Sequence, residues 1–172
     1  MESRVYLGVD PGFHFTGYSI LKIEQNKTYL LECNYLQMNP KDTLSKRVGI
    51  FYNHFNQKAI QIKITDIVLE TSFLGKNAQT FLKLGFLRGI LYLLADQYQM
   101  NITEFAPKEI KQALTGFGGA SKDQVALALK CMFPQLQNVL KNAKSDVSDA
   151  LAITLCGVWQ NQTNNRLAKF IR

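Results

Sequence analysis

Two acidic residues end apolar runs that are typical of buried strands. Asp10 closes the run over residues 5–10 and is followed at once by a Pro-Gly pair. Glu70 closes the run over residues 64–70. Active residues of α/β sheets collect outside the carboxyl ends of strands, so both acids stand where chemistry is expected. If the two strands are neighbours, the two carboxylates face each other and need a shared cation.

Two further acids, Asp146 and Asp149, lie three residues apart at the start of a predicted helix. Residues at that spacing project from the same face of a helix. Carboxylate oxygens are hard ligands that suit Mg²⁺ or Mn²⁺, and these ions take their remaining ligands from water and phosphate. Two such ions about 4 Å apart can activate a water on one side of a phosphodiester and stabilise the leaving oxygen on the other. The four acids together predict phosphodiester hydrolysis.

Each acid also has a structural interpretation. An aspartate before Pro-Gly often forms a turn, and acids in the first turn of a helix often cap it. Glu70 is harder to explain in this way, because a glutamate that ends a buried strand needs a cationic partner. The four positions taken together favour a metal site.

The elements that must position these acids follow from hydrophobic periodicity and turn residues. The predicted strands cover residues 5–10, 16–23, 28–36, 64–70 and 102–105. The predicted helices are one capped by Asp42 that ends near residue 63, and those over residues 77–99, 107–114, 121–132 and 145–159. This order predicts an α/β three-layer fold with a five-stranded mixed sheet, its first three strands antiparallel and the others parallel. We expect one domain over residues 1–160, a loop over 135–144 and a loosely ordered basic tail over 161–172.

Composition narrows the class of partner. The chain has 172 residues and a net charge of +7, which favours a polyanion such as nucleic acid or an anionic membrane surface. The apolar stretch over residues 84–95 is interrupted by Arg88, which argues against a membrane span, and no signal peptide is predicted. Three widely spaced cysteines without a CxxC pair argue against a zinc site. We therefore expect a cytoplasmic, nucleoid-associated protein.

An ordered set of motifs resembles the RuvC-type Holliday junction resolvases. The matching segments are LGVDPG with TGY, LE with Phe73 and Lys76-Asn77, LKLG with Arg88-Gly89, the run over residues 106–125, and DVSDALA at 146–152. The similarity runs in register from Val5 to about Trp159. Each motif alone is weak, whereas the ordered set is specific.

The resemblance implies a ribonuclease H-like fold and a homodimer that places symmetric nicks in a four-way DNA junction with Mg²⁺. The family's metal-binding acids fall on Asp10, Glu70, Asp146 and Asp149, and we expect two ions per site, with Mn²⁺ able to substitute. Two important lysines of the family fall on Lys111 and Lys122. Its aromatic residue after the fourth strand falls on Phe73. A branch-migration complex is a further candidate partner that the sequence does not decide.

DNA contacts are expected around a glycine-rich loop flanked by Lys108, Lys111 and Lys122, where backbone amides and ammonium groups can reach phosphates. A solvated basic face is an equally good interpretation for Lys108. Phe73 could stack on an unpaired base, although it could also be a core residue. The remaining expected DNA contacts are Lys76, Asn77, Lys83 and Arg88. His14, in a loop near Asp10, is left outside the site.

The helix over residues 77–99 is apolar over most of its surface. Gly85 and Gly89, four residues apart, leave a groove suited to close helix approach, so this helix is predicted to form a two-fold dimer interface that includes Phe81. Burial beneath the first long helix is the alternative.

Rival functions come from other classes. A phosphotransferase or ATPase of the actin and sugar-kinase type has a similar first hairpin, but it needs a second phosphate loop and a second domain, for which this chain has no candidate. A non-catalytic junction-binding protein would retain the lysines without requiring four acids. A ribonuclease acting on RNA·DNA hybrids shares the acid pattern.

Overall fold

The protein is described by a computed structural model that covers residues 3–25, 27–72, 78–134 and 145–170. The strands are β1 (Arg4–Asp10), β2 (Phe15–Glu24), β3 (Lys27–Gln37), β4 (Asp66–Glu70) and β5 (Asn101–Phe105). The helices in these ranges are α1 (Leu44–Ile62), α2 (Ala78–Gln97), α3 (Pro107–Thr115), α4 (Lys122–Met132) and α5 (Ser145–Phe170).

The five strands form one mixed sheet in the order β3-β2-β1-β4-β5. The first three pair antiparallel, because short turns connect them. β4 pairs parallel with β1, and β5 pairs parallel with β4. Each of these two parallel strands is reached through a helix, α1 or α2. The predicted mixed sheet is confirmed.

The two faces of the sheet carry different helices. Val5, Leu7 and Val9 of β1 point to one face and belong to a core with residues of α1 and α2. Tyr6 points to the other face, where its core neighbours come from α3, α4 and α5. The alternation follows from the two-residue period of a strand, and it yields the predicted three layers.

Two of the predicted helix starts are confirmed, those of α3 and α4, and the cap predicted for α1 is wrong. Pro107 is the first residue of α3, and Ser121 with Gln124 forms the predicted capping box of α4. Asp42 does not cap α1. The cap is Thr43, whose hydroxyl accepts from the Lys46 backbone N–H at 3.3 Å, while the Asp42 carboxylate accepts from the Lys46 ammonium at 2.9 Å.

The last helix was predicted to end too early. α5 continues to Phe170, so the backbone over residues 161–170 is helical where a loose tail was expected. No proline or glycine follows Gly157 to end the helix. The predicted loop over 135–144 lies outside the described residues, and the single domain over 1–160 stays a prediction.

Helix α2 is, within the described ranges, the one helix long and apolar enough to pass for a membrane span by length and composition alone. Its inner residues Leu87, Leu91 and Leu94 are fully buried in the core beside the sheet. Core helices of this kind pass the same composition test, so the finding is weak evidence for a membrane.

Candidate active site at the carboxyl edge of the sheet

Asp10 and Glu70 end adjacent parallel strands. The register pairs Val9 with Leu69, so the next residue on each strand is a candidate acid, and both leave the sheet at the same edge. The turn after Asp10 is held by Thr16, which is fully buried. Its hydroxyl donates to the Gly12 carbonyl at 2.8 Å and accepts from the Gly12 N–H at 3.1 Å. The two hydrogen bonds between Thr16 and Gly12 therefore set the direction in which the chain leaves Asp10.

The start of α5 lies against this edge because β2 has a glycine there. Gly17 pairs with Asp10 in the antiparallel register. A Cβ at Gly17 would lie 1.9 Å from the Asp146 carbonyl oxygen, so any side chain would push the helix away. This close approach brings the backbone of Asp146 beside the end of β1.

Buried polar contacts fix α5 further along. The hydroxyls of Ser19 and Thr154 lie 2.5 Å apart, and Thr154 donates to the Ala150 carbonyl at 2.7 Å. Gly8 is required here too, since a Cβ would lie 2.0 Å from the Thr154 hydroxyl oxygen. Sequence reasoning missed these residues. Their signal was two glycines and a serine inside otherwise apolar strands, which marks a close approach of another backbone.

The four candidate acids act on one another electrostatically. Burial raises the pKa of Asp10 to about 7, with further contributions from the charges of the other three acids. Burial, and then the charge of Asp149, also raises the pKa of Glu70. Like charges that oppose each other's ionisation in this way are relieved by a bound cation. Their oxygens are the ligands that Mg²⁺ and Mn²⁺ prefer, so the donor set fits a divalent metal.

The side chains of the four acids are not arranged around a common metal position. Among the described residues, no three histidine, cysteine, aspartate or glutamate side chains lie close enough together to hold a metal ion. The elements that carry the four acids are brought to one edge, whereas their side-chain oxygens are not gathered around one point.

Two of the predicted lysines face this acidic cluster. The Lys122 ammonium lies 3.3 Å from a carboxylate oxygen of Asp149, and that carboxylate raises the pKa of Lys122. The charge of Lys111 acts on Glu70 and opposes the rise in its pKa. Both lysines come from the α3–α4 unit, so one loop-linked helix pair supplies positive charge beside the acids.

Arg88, one of the predicted DNA contacts, makes hydrogen bonds within the protein. Its guanidinium donates to the Glu70 carbonyl oxygen at 2.7 Å and to a Glu104 carboxylate oxygen at 2.5 Å, and its side chain is 12% exposed. The Tyr92 hydroxyl donates to the same Glu104 oxygen. A guanidinium engaged on two sides and nearly buried is poorly placed for a phosphate. Arg88 instead holds the end of β4 in position.

The other predicted contacts divide into three groups. Lys83 and Lys108 are exposed on the surface. Phe73, Lys76 and Asn77 lie outside the described residues. His14 is exposed, with its ring against that of Phe15 at 4.0 Å between centroids.

The outward side of α2 is apolar and uncovered. Gly85 and Gly89 are exposed, and a Cβ built on either would meet no other atom of the described residues within 4 Å. Leu82, Phe86 and Leu93 are exposed beside them, while Phe81 is half-buried. Burial beneath α1, the alternative for this helix, is therefore wrong for this side.

Two solved junction-resolving proteins have a fold similar to this one. The Thermus thermophilus RuvC structure, determined in complex with a Holliday junction substrate, superposes with a TM-score of 0.80 at 22% identity, covering 92% of this chain and 96% of that one. The yeast mitochondrial Holliday junction resolvase Ydc2 superposes with a TM-score of 0.68 at 16% identity, covering 97% and 84%. At these identities the likeness defines the fold, which is the predicted ribonuclease H-like fold of resolvases.

Sequence similarity identifies the family. Residues 6–157 match the family described as "Crossover junction endodeoxyribonuclease RuvC". The protein of that name from Chlorobium phaeovibrioides is 38% identical over 153 residues, 88% of this chain and 79% of the relative. The one from Psychromonas ingrahamii is 30% identical over 172 residues, 98% and 96% of the two chains. The chain therefore belongs to the RuvC family of crossover junction endodeoxyribonucleases, a family of metal-dependent nucleases, as its motifs indicated.

Proposed function

We propose that this protein is a Mg²⁺-dependent endonuclease that resolves four-way (Holliday) DNA junctions by paired symmetric nicks. The observation that carries the proposal is the electrostatic coupling of four acids at one sheet edge, with Asp10 raised to a pKa of about 7. Acids whose pKa values are raised by burial and by neighbouring carboxylates, as those of Asp10 and Glu70 are, are typical of sites that bind a metal ion or do catalysis.

Asp10, Glu70, Asp146 and Asp149 would hold the metal ions, two per active site, with Mn²⁺ able to replace Mg²⁺. When bound, the ions supply an activated water and stabilise the charge on the leaving oxygen. The chain's own contribution is to orient the ligands. Thr16 holds the turn after Asp10, Gly17 admits the start of α5, and Arg88 holds the end of β4.

The lysines would bind the DNA backbone. Lys122 pairs with Asp149 and is 76% exposed, so its ammonium can leave the carboxylate for a phosphate when a metal takes its place. Lys111 lies on the Glu70 side of the cluster. Lys83 and Lys108 would add more peripheral phosphate contacts, and Phe73, Lys76 and Asn77 keep their predicted roles as DNA contacts.

The active form would be a homodimer joined through α2. Leu82, Phe86 and Leu93 are 64%, 52% and 53% exposed and share one side of the helix with Gly85 and Gly89. A two-fold pairing of this side would remove the exposed apolar patch from water and supply the second active site that paired nicks require. Phe81 would lie at the rim. A branch-migration complex stays a candidate partner, and a cytoplasmic, nucleoid-associated location a prediction.

Sedimentation at micromolar concentration tests the dimer. Phe86→Glu should convert the dimer to monomer, and Ile60→Glu, at a side chain 56% exposed on α1, should leave it unchanged. A wild-type protein that sediments as a monomer would contradict this part of the proposal.

The function is tested with a synthetic four-way junction, a linear duplex and an RNA·DNA hybrid, each with Mg²⁺ or EDTA. Paired nicks confined to the junction and dependent on Mg²⁺ are expected. Cleavage of the hybrid alone would point to a ribonuclease, and ATP turnover would favour the phosphotransferase class. Asp146→Asn should lose cleavage and keep junction binding. A non-catalytic binding protein would show no cleavage in the wild type for this substitution to remove.

A further inference from the structure

Phe117 is an exposed aromatic ring on a loop that the protein holds rigidly. Its residue is 64% exposed and lies in the glycine-rich segment between α3 and α4. An exposed phenylalanine contributes little to folding, since its apolar surface stays in water. The loop joins the helices that carry Lys111 and Lys122, and Lys122 contacts the candidate site through Asp149.

Side chains of α3 hold both flanks of the ring. The Gln112 carboxamide donates to the Gly116 carbonyl at 2.7 Å and accepts from the Gly118 N–H at 2.9 Å, so one side chain spans the loop. The Thr115 hydroxyl accepts from the Phe117 N–H at 3.2 Å, and its single proton lies between two acceptors, the carbonyl oxygens of Lys111 at 2.8 Å and Phe117 at 3.0 Å. The backbone on which the ring is mounted is therefore held before any ligand binds.

The glycines next to the ring allow the loop conformation and leave room for the ring itself. Gly116 has a φ of 76°, a conformation that favours glycine. A Cβ at Gly119 would lie 2.6 Å from the ring of Phe117, so the ring occupies the place that a side chain would take there. With no side chain at positions 116, 118 and 119, nothing on these residues blocks the approach of a base.

We propose that Phe117 stacks on an unpaired DNA base next to the bond that is cut, as a second aromatic contact besides the one predicted for Phe73. The inference rests on the proposed function, because it takes the junction as the ligand. DNA is favoured over a protein partner because three lysines flank the loop, Lys108 and Lys111 on α3 and Lys122 on α4. Unpaired bases occur where strands exchange, and every base offers a face for stacking.

The test uses the full-length Asp146→Asn protein, so that binding is measured without cleavage. Phe117→Ala should weaken junction binding by about 5- to 150-fold, the range that corresponds to one base stacked on an aromatic ring. Phe117→Trp should retain the affinity, and Phe117→Leu should lose it, because leucine is apolar without a face for stacking. The slope of affinity against salt should not change, since no phosphate contact is removed.

Gly119→Ala is a second variant, which retains Phe117 but should shift the position of its ring. Its affinity for the junction should fall between those of the parent and Phe117→Ala. Leu127→Ala is the matched control, because Leu127 is 62% exposed on α4 and should tolerate the change. Thermal melting should be nearly the same for all of these proteins. A fluorescent 2-aminopurine next to the mapped cleavage site should be quenched by the parent and not by Phe117→Ala.

Unchanged affinity and unchanged 2-aminopurine quenching in Phe117→Ala would overturn the inference while leaving the proposed function intact. Full affinity in Phe117→Leu would also overturn it, since the contact would then be to a sugar. A parent protein that does not prefer the junction to a duplex would overturn both the inference and the proposed function.

Discussion

β4 carries an acid at each end, and the two have different surroundings. Asp66, at the start, is 5% exposed and is surrounded by donors: Arg4, Thr65 and Asn101. Glu70, at the far end, lies beside other carboxylates, and burial together with the charge of Asp149 raises its pKa. The fold compensates the charge of Asp66 from within. At the other edge it gathers negative charge that only a cation from outside can compensate fully.

The largest expected difference between the two ends is in catalysis. Glu70→Gln should reduce junction cleavage by at least about 100-fold, because it removes a metal ligand that supports several kcal/mol of charge stabilisation. Asp66→Asn should keep the cleavage rate per folded molecule. Initial rates on a synthetic junction, with binding measured in parallel, compare the two. If the Glu70→Gln protein cut the junction at the wild-type rate, the two ends of β4 would not differ in catalysis.

Folding stability should show the opposite pattern. Asp66→Ala leaves Arg4 without its buried partner and should lower the free energy of unfolding by about 3 kcal/mol. Glu70→Gln, measured in EDTA, should be neutral or stabilising, because it removes one of several repelling charges. Urea denaturation of both variants tests this. A Glu70→Gln protein as unstable as Asp66→Ala would mean that both acids are structural.

Arg88 offers a further test of the comparison between the two ends of β4. Its guanidinium is not one of the acids, and it donates to the Glu70 carbonyl oxygen at the end of the strand. Arg88→Lys cannot donate to Glu70 and Glu104 in the same geometry and should weaken Mn²⁺ affinity by about 10-fold, as loss of an orienting contact does. Calorimetric titration with Mn²⁺ measures the change.

Lys83→Ala, on the same helix, is the control for a DNA contact. It should lower the salt dependence of junction binding and leave Mn²⁺ affinity unchanged. If Arg88→Lys instead changed the salt dependence and spared metal binding, Arg88 would be a phosphate contact after all.

A further expected effect is on the pH dependence of the metal-free protein's stability. Asp10 has a pKa of about 7 in the fold, raised by burial and by its acidic neighbours above the ordinary 3.8. Between these values the folded protein binds more protons than the unfolded chain, so metal-free stability falls as pH rises from about 4 to about 7. Asp10→Asn should remove this fall, and melting temperatures in EDTA across that range measure it. Parallel pH profiles for wild type and variant would contradict the prediction.

Much of the site could be predicted before the fold was seen. Asp10 and Glu70 were recognised because apolar runs end at them, and Asp146 and Asp149 because of their spacing. Arg88 was predicted as a DNA contact from its charge, and sequence does not show that its guanidinium donates to the Glu70 carbonyl oxygen at the end of β4. The extent of α5 was missed for a similar reason, since polar residues after Trp159 continue a helix as readily as they form a tail.

The sequence by itself determined the strands, most helix limits, the caps at Pro107 and Ser121, and which acids could share an edge. These depend on periodicity and on contacts within a few residues, which local sequence contains. Only the tertiary structure decided that Gly17 admits the start of α5 beside Asp10, that Arg88 supports Glu70, and that the ring of Phe117 stays exposed. Such contacts join segments far apart in the chain or depend on which face packing leaves uncovered. A local pattern, such as a glycine within a strand, can indicate a close approach but does not identify the partner.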